Sequence, residues 1–157
     1  MLAKLAGGGC IALEERPGSI PFLSGDHRLL PTLARTLPVV LENVSGKAVL
    51  AVTGWSIHWR TGRYFENNPY LTAGACELLA ARGARFVGID SLNIDDVEDL
   101  SRPAHTLLLG AGIPICEHMT NLGALPPEGG FLHAVPIAWA GGATFPVRAY
   151  AVYPDAR

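Results

Sequence analysis

The chain has 157 residues, of which 49% are hydrophobic and 17% charged, and its formal net charge is −2. These values are typical of one globular domain with a substantial core and exclude a disordered chain. Because there is no basic field and no uninterrupted apolar run of spanning length, we expect no nucleic acid and no membrane among its partners. The three cysteines, Cys10, Cys76 and Cys116, form no C-x-x-C pair, which favours free thiols and a cytoplasmic location.

The first 38 residues predict little regular structure. Glycine and proline interrupt every periodic run there, so we expect loops, with one short helix near residues 29–36. The sequence therefore divides into an irregular N-terminal segment, residues 1–38, and an α/β domain, residues 39–157, within a single domain overall.

The next part of the chain predicts a β-loop-α-β unit. Residues 47–53, KAVLAVT, have the composition of a buried strand, and residues 85–90, RFVGID, predict a second one. Between them, residues 71–84 predict a helix with Thr72 as the N-cap and Gly83 at its C-terminal stop. This order predicts two parallel strands of one sheet joined by a right-handed crossover.

The remaining elements are shorter. Residues 105–109 predict a helical turn closed by a glycine, and residues 114–116 a short buried strand. Residues 131–140 and 145–153 alternate as two late strands, with the two glycines at 141–142 as a hairpin connection. The predicted fold class is α/β with strands dominating.

Two loops carry side chains that suit a binding site. The acidic loop holds Asp95, Asp96, Glu98 and Asp99, but it lacks the spacing and the glycine of an EF-hand, so a solvated loop is favoured over a cation site. The loop at residues 54–70 must bury its aromatic surface against something. Packing or a subunit contact and a lid over a substrate pocket remain equal alternatives for its side chains, which are Trp55, His58, Trp59, Tyr64 and Phe65.

His105 and Glu117 bracket an almost wholly apolar run. An imidazole and a carboxylate are the ligands that zinc or manganese accepts. Two ligands fall short of the three or so that a catalytic metal needs, so the chemistry of the pair alone favours two surface positions over a shared pocket. His118 and His133 are each interpreted as structural.

Several segments, in order along residues 40–152, resemble the second half of the cyclase-like metal-dependent hydrolases, the group of the kynurenine formamidases. The segments are TGW (53–55), HW (58–59), RYF (63–65), NPYLT (68–72), VGIDSLNIDD (87–96), RPAHTLLLGAGIPICEHMTNL (102–122), FLHAVP (131–136) and TFPVRAYAV (144–152). An ordered series of this length is far more specific than a single short motif.

The resemblance implies a compact swivelling β/β/α domain that assembles as a homodimer or homotetramer. It also implies hydrolysis of an amide, formamide or ester in a small-molecule substrate, with zinc or manganese bound. The family's late metal-site histidine falls on His105, which is also the expected catalytic residue, and its late carboxylate falls on Glu117. The residues expected to border the substrate pocket are Trp55, His58, Trp59 and Phe65.

The family's early motif, His-x-Gly-Thr-His-x-Asp-x-Pro, is not present in this chain. Asp26 and His27 are its only echo, so we expect a domain that is incomplete at the N-terminus. Two hypotheses follow. The chain is a hydrolase of this family, truncated or inactive, or it is a catalytically dead paralogue that acts as an oligomeric interaction module.

Overall fold

Six strands and two α-helices make up the part of the chain that the computed structural model describes, residues 10–14, 44–126 and 129–153, the first of these as backbone only. In chain order they are β1 (Cys10–Glu14), β2 (Ala48–Val52), α1 (Ala73–Ala81), β3 (Phe86–Ile89), α2 (Pro103–Gly110), β4 (Ile115–Cys116), β5 (Phe131–Ala134) and β6 (Ala149–Val152). Short 3-10 helices lie at Trp55–His58, Gly62–Phe65 and Leu122–Ala124.

The main sheet has the strand order β1-β2-β3-β4, and every neighbouring pair is parallel. Ala48 lies opposite Phe86, and Val87 lies opposite Ile115. Helix α1 connects β2 to β3, and α2 connects β3 to β4. The predicted parallel β-loop-α-β unit is therefore confirmed.

Each face of the sheet carries its own apolar core, because successive residues of a strand point to opposite faces. Val49, Ala51, Val87 and Ile89 belong to the core that includes Cys76, Leu79, Ala104 and Leu108 of the two helices. The alternate residues Ala48, Leu50, Val52 and Phe86 belong to the core that includes Met119, Leu122 and Leu132. The α/β class predicted from the sequence is confirmed, with helices on one face and the β5–β6 sheet on the other.

Gly88 lets the second core approach the sheet closely. A Cβ atom at this position would lie 2.4 Å from the Met119 sulfur and 2.7 Å from Leu50 Cδ2. Only a residue without a side chain fits here, so Met119 packs directly onto the backbone of β3.

Helix α1 has the N-terminal cap and the C-terminal glycine that its sequence predicts. The Thr72 hydroxyl accepts a hydrogen bond from the Ala75 amide at 3.3 Å, which makes it the N-cap of α1, and Gly83 adopts φ +76° just after the helix. Helix α2 has Pro103 at its start and runs to Gly110, a longer element than the predicted turn.

The late strands are shorter than predicted. β5 and β6 pair antiparallel over four residues each, and residues 135–148 form the connection between them. The prediction of two long strands joined at residues 141–142 is therefore wrong. Pro136 and Pro146 explain the difference, because each removes an N–H donor that a longer ladder would need.

Strand β1 lies inside the segment where loops and one short helix were expected. Its residues pair with β2 from Cys10 opposite Ala48 to Glu14 opposite Val52. Pairing with β2 accounts for this strand, because the glycine-rich sequence around it has no pattern typical of a strand. The helix expected near residues 29–36, together with Asp26 and His27, lies outside the described residues, and the division at residue 38 stays a prediction.

Within the described ranges, none of the helices combines the length and the apolar character needed to cross a membrane.

Candidate functional site

The carboxyl ends of three parallel strands bring polar side chains to one edge of the sheet. Thr53 follows β2, Asp90 and Ser91 follow β3, and Glu117 and His118 follow β4. In open α/β sheets, ligands bind at this edge.

Asp90 fixes the start of the aromatic loop at residues 54–70. One carboxylate oxygen accepts hydrogen bonds from the Thr53 amide and hydroxyl, both at 2.7 Å, and the other accepts from the Gly54 amide at 2.9 Å. Because the side chain is buried, these three bonds offset the cost of removing its charge from water.

Asp95 is also fully buried, between the start of α2 and the imidazole of His105. Its carboxylate accepts hydrogen bonds from the Ala104 amide at 2.5 Å, the His105 amide at 3.2 Å and His105 Nδ1 at 2.6 Å. The prediction of a solvated loop is wrong for this residue, although Glu98 and Asp99 are exposed. The free amides at the start of a helix need an acceptor, and Asp95 provides it.

His105 and Glu117 do lie together. His105 Nε2 is 3.8 Å from Glu117 Oε1, and the two side chains are 25% and 22% exposed, so both face one partly open site. The Ile94 amide donates to Glu117 Oε1 at 2.7 Å and holds the carboxylate in place. The two ends of the apolar run therefore lie side by side, whereas their roles as metal ligands and the catalytic role of His105 stay predictions.

Arg102 lies against the same imidazole. Its Nε is 3.4 Å from Asp95 Oδ2, and its terminal Nη2 is 3.3 Å from His105 Nδ1 and 3.4 Å from Nε2. The guanidinium thus compensates part of the Asp95 charge and borders the pocket from the solvent side.

The pair fits part of a metal site. Because His105 Nδ1 donates to Asp95, the lone pair of the imidazole lies on Nε2, the nitrogen that lies near Glu117. A carboxylate behind the far nitrogen is the usual support of a metal-ligating histidine. The residues described do not bring three His, Cys, Asp or Glu side chains into one metal-binding group, so His105 and Glu117 supply two of the three or so ligands that a catalytic zinc needs.

The aromatic loop divides into an inner and an outer part. The Trp55 indole N–H donates to the Tyr64 carbonyl at 3.1 Å, and its ring contacts His58 at a centroid distance of 4.6 Å. Trp59 and Phe65 are 54% and 64% exposed. The contacts of Trp55 and His58 therefore lie within the loop, the rings of Trp59 and Phe65 face outward, and the substrate-pocket role of all four stays a prediction.

Tyr64 and His118 form a contact that the sequence reasoning missed. The Tyr64 side chain is fully buried, and its hydroxyl lies 2.9 Å from His118 Nδ1. Burial raises the pKa of Tyr64, and the nearby charges of Asp90 and Glu117 raise that pKa further. No local sequence pattern predicts a contact between a tyrosine and a histidine that are 54 residues apart. The sequence feature that could have indicated it is that both residues lie in segments that resemble the family, RYF and ICEHMTNL.

Asn68 is a further missed residue, and it joins two loops of the site. Its buried amide donates to the Ser91 hydroxyl at 3.3 Å and to the Asn93 carbonyl at 3.2 Å. These bonds hold the end of the aromatic loop against the segment that carries Asp95.

Residues 35–96 match the sequence model of the Cyclase family, described as "Putative cyclase". None of the curated proteins matches the chain significantly.

Solved structures share the fold. Isatin hydrolase A from Ralstonia solanacearum superposes with a TM-score of 0.69 at 21% identity, over 94% of this chain and 60% of its own. An isatin hydrolase bound to the product analogue thioisatinate gives 0.68 at 24% identity, over 79% of this chain and 52% of its own. A potential metal-dependent hydrolase with cyclase activity gives 0.48 at 26% identity, over 67% of this chain and 50% of its own.

This chain therefore spans between half and two thirds of the length of the isatin hydrolases that it matches. The likeness in fold extends over nearly the whole of this chain, and the sequence match covers its middle part. Together these findings confirm the predicted resemblance: residues 35–96 match the Cyclase family model, and the α/β fold is similar to that of the isatin hydrolases.

Proposed function

We propose that this protein is a metal-dependent hydrolase of the cyclase family that cleaves an amide, formamide or ester bond, in the manner of a kynurenine formamidase. The observation that carries the proposal is the placement of His105 Nε2 3.8 Å from Glu117 Oε1, at the carboxyl edge of a parallel sheet. The buried Asp95 behind His105 supports it, since this is the arrangement of a metal-ligating histidine.

A bound zinc or manganese ion would polarise the substrate carbonyl and lower the pKa of a water molecule. The chain's own residues would hold the reacting groups in place. Asp95 fixes the imidazole so that Nε2 carries the lone pair, which can ligate the metal or accept a proton from the attacking water. The Ile94 amide fixes Glu117 Oε1, so the carboxylate is oriented before substrate arrives.

The substrate in this proposal is a small aromatic molecule. Trp59 and Phe65 expose large rings in the loop that starts at the same sheet edge, and Trp55 and His58 support that loop from within. Exposed aromatic rings beside convergent polar groups are typical of small-molecule sites. The thioisatinate bound to one of the isatin hydrolases is also aromatic, which favours the same substrate class here.

The test combines metal analysis with hydrolysis. Purified protein should contain about one zinc or manganese per chain and should hydrolyse N-formylkynurenine or a small cyclic amide. His105→Ala and Glu117→Gln should lose both properties, because each removes a proposed ligand.

His133→Ala is the matched control. His133 stacks on Tyr150 in the β5–β6 sheet, at a centroid distance of 4.8 Å, so its removal should leave metal content and turnover unchanged. The proposed hydrolase activity would be refuted if wild-type protein contained no stoichiometric metal and turned over neither substrate class.

A second candidate function is a catalytically dead, oligomeric interaction module. The observation that favours it is a group of exposed apolar side chains in β5, β6 and their connection, namely Phe131, Val135, Ile137, Trp139, Tyr150 and Val152. Contiguous exposed apolar surface is typical of interaction sites. The two metal donors found among the described residues are consistent with a site that no longer binds metal.

The mass of the purified protein in solution tests the module. We propose a homodimer or homotetramer in the cytoplasm for either function, and light scattering after size exclusion should give two or four times 16.6 kDa. A metal-free oligomer without turnover would favour the interaction module over the enzyme, whereas a monomer would exclude the module.

A further inference from the structure

His118 lies next to Glu117 and is held in one orientation by the backbone. Its φ of +55° lies in the left-handed region, which a non-glycine residue adopts only when its surroundings require it. The His118 amide donates to the Ser91 carbonyl at 3.0 Å, and the Met119 amide donates to the Ile89 carbonyl at 3.1 Å. The main chain is thus fixed on both sides of the residue, while its side chain is exposed.

The Tyr64 hydroxyl determines which ring nitrogen of His118 carries the proton. A buried hydroxyl needs an acceptor, and the acceptor that the structure gives it is His118 Nδ1 at 2.9 Å. Burial and the neighbouring carboxylates raise the pKa of Tyr64, so the hydroxyl keeps its proton and can donate it to Nδ1. A neutral imidazole that accepts at Nδ1 carries its hydrogen on Nε2.

An apolar surface lies beside this donor. The Trp59 and His118 ring centroids are 6.0 Å apart at an interplanar angle of 61°, and the Trp59 indole also packs edge-on against Tyr64 at 5.1 Å. The packing against Tyr64 fixes the indole, while more than half of its surface is open to solvent. An exposed histidine beside an exposed indole ring matches a ligand with one polar atom attached to an aromatic group.

We propose that Tyr64 positions His118 as a hydrogen-bond donor, through Nε2–H, for the carbonyl oxygen of an aromatic amide whose ring lies against Trp59. The inference deepens the proposed function, on which it rests for its substrate class. A neutral carbonyl oxygen fits better than a carboxylate, because Glu117 and Asp90 already place negative charge nearby. Tyr64 is here a positioning residue, and His118 is the group that touches the ligand.

The test measures binding to metal-free protein by NMR, so that it does not depend on turnover. Formanilide is the aromatic amide probe, and N-methylaniline, which lacks the carbonyl, is its control. Formanilide should shift the His118 Nε2 and the Trp59 indole resonances and should bind more tightly than N-methylaniline by about threefold to tenfold, the value of one neutral hydrogen bond.

Two isosteric variants separate the donor from the ring. His118→Gln keeps an N–H near the position of Nε2 and should retain the preference for formanilide. His118→Asn keeps a hydrogen-bonding partner for the Tyr64 hydroxyl but has no N–H near the position of Nε2. It should therefore bind formanilide and N-methylaniline equally. Equal binding of both probes to the wild type, or an unchanged preference in His118→Asn, would overturn the donor role.

The role of Tyr64 has a spectroscopic readout. In the wild type, the neutral His118 ring should show the 15N pattern of an Nε2–H tautomer, and Tyr64→Phe should shift part of the population to Nδ1–H. Thr120→Ala, an exposed loop change two residues beyond His118, should leave the pattern as it is. An unchanged tautomer in folded Tyr64→Phe protein would overturn the positioning role.

The results distinguish this inference from the proposed enzyme. Formanilide recognition through His118 in a protein that binds neither zinc nor manganese would support the inference and refute the hydrolase. The opposite result has two parts: His118→Asn leaves metal binding and turnover unchanged, and the wild type binds formanilide and N-methylaniline equally. This result would support the hydrolase and refute the inference.

Discussion

Asp95 serves two groups with one buried carboxylate. It accepts from the Ala104 and His105 amides at the start of α2, and it accepts from the His105 imidazole at 2.6 Å. The first contact fixes where the helix begins, and the second fixes which nitrogen of His105 faces Glu117. A single residue thus links the stability of α2 to the chemistry of the site.

Substitution of Asp95 should affect these two contacts differently. Asp95→Asn retains an oxygen acceptor for the helix amides but removes the negative charge behind His105, so metal affinity should fall by about tenfold or more. Asp95→Ala leaves the Ala104 and His105 amides without this acceptor, so the free energy of unfolding should also fall, by about 1–3 kcal/mol. Calorimetric titration with Mn²⁺ and urea unfolding measure the two quantities.

The control is Asp99→Asn in the same loop. Asp99 is exposed and accepts its hydrogen bonds from Ser101, away from the imidazole. Metal affinity should therefore stay at the wild-type value. Equal affinity in Asp95→Asn and Asp99→Asn would contradict the positioning of His105 by Asp95.

Local sequence predicts part of the site and misses the rest for a physical reason. His105 and Glu117 stand out because they bracket an apolar run, and the resemblance assigns both to one site. Asp95 is one of four acids within five residues, and nothing local distinguishes it from Asp99. The distinction comes from the N-terminus of α2, which lies against Asp95 only in the folded chain.

At the scale of elements, α1 buries a thiol in the apolar core between the sheet and the two helices. Cys76 is fully buried, and burial raises its pKa from 9.0 to about 12, with smaller contributions from Asp95 and Glu77. The folded state therefore keeps the thiol protonated at pH values where the unfolded chain loses that proton. Cys76 contributes its full stabilisation below pH 9 and loses it as the pH rises towards about 12.

Cys76→Ala should reduce this dependence on pH. Between pH 9 and about 12, the free energy of unfolding of the wild type should fall more steeply than that of the variant, by up to roughly 1.4 kcal/mol per pH unit. Urea unfolding at several pH values measures both slopes. Parallel curves for the two proteins would contradict a thiol that is held protonated by burial.

The close approach of Met119 to β3 can be tested at Gly88. Gly88→Ala places a methyl group within 2.4 Å of the Met119 sulfur and 2.7 Å of Leu50, so we expect a loss of about 1–3 kcal/mol in unfolding free energy. Gly74→Ala is the matched control, because nothing lies within 4 Å of a Cβ there and alanine favours the helix by about 0.5–1 kcal/mol. Chemical denaturation should give opposite signs, and two equal changes would contradict the packing.

Element prediction succeeds where local and tertiary preferences agree. β2, α1 and β3 have strong apolar patterns and a clear cap at Thr72, and they fold as their sequence predicts. The late strands alternate well in sequence, but Pro136 and Pro146 limit the hydrogen-bonded part to β5 and β6. β1 has no comparable signal, and its pairing with β2 depends on the assembled sheet.

At the scale of the whole molecule, the fold is better supported than the metal site. The sheet, the two helices and the β5–β6 sheet reproduce the isatin hydrolase fold over 94% of this chain, which itself spans 60% of that protein. His105 and Glu117, the two proposed metal ligands, lie 3.8 Å apart at the carboxyl edge of the sheet. Metal binding is therefore the property that decides between an enzyme and an interaction module.

Metal binding should be visible in the thermal stability of the protein. A ligand that binds the folded state alone stabilises it by about 2.7 kcal/mol at a hundred times its Kd, which corresponds to a rise in Tm of about 5–10 °C for a chain of this size. Mn²⁺ is the better probe, because unfolded cysteine and histidine side chains bind Zn²⁺ and reduce the shift. His105→Ala should abolish the rise, His133→Ala should keep it, and EDTA should reverse it. A wild-type Tm that neither ion changes would leave His105 and Glu117 as neighbouring side chains without metal. The interaction module would then be the better account of the chain.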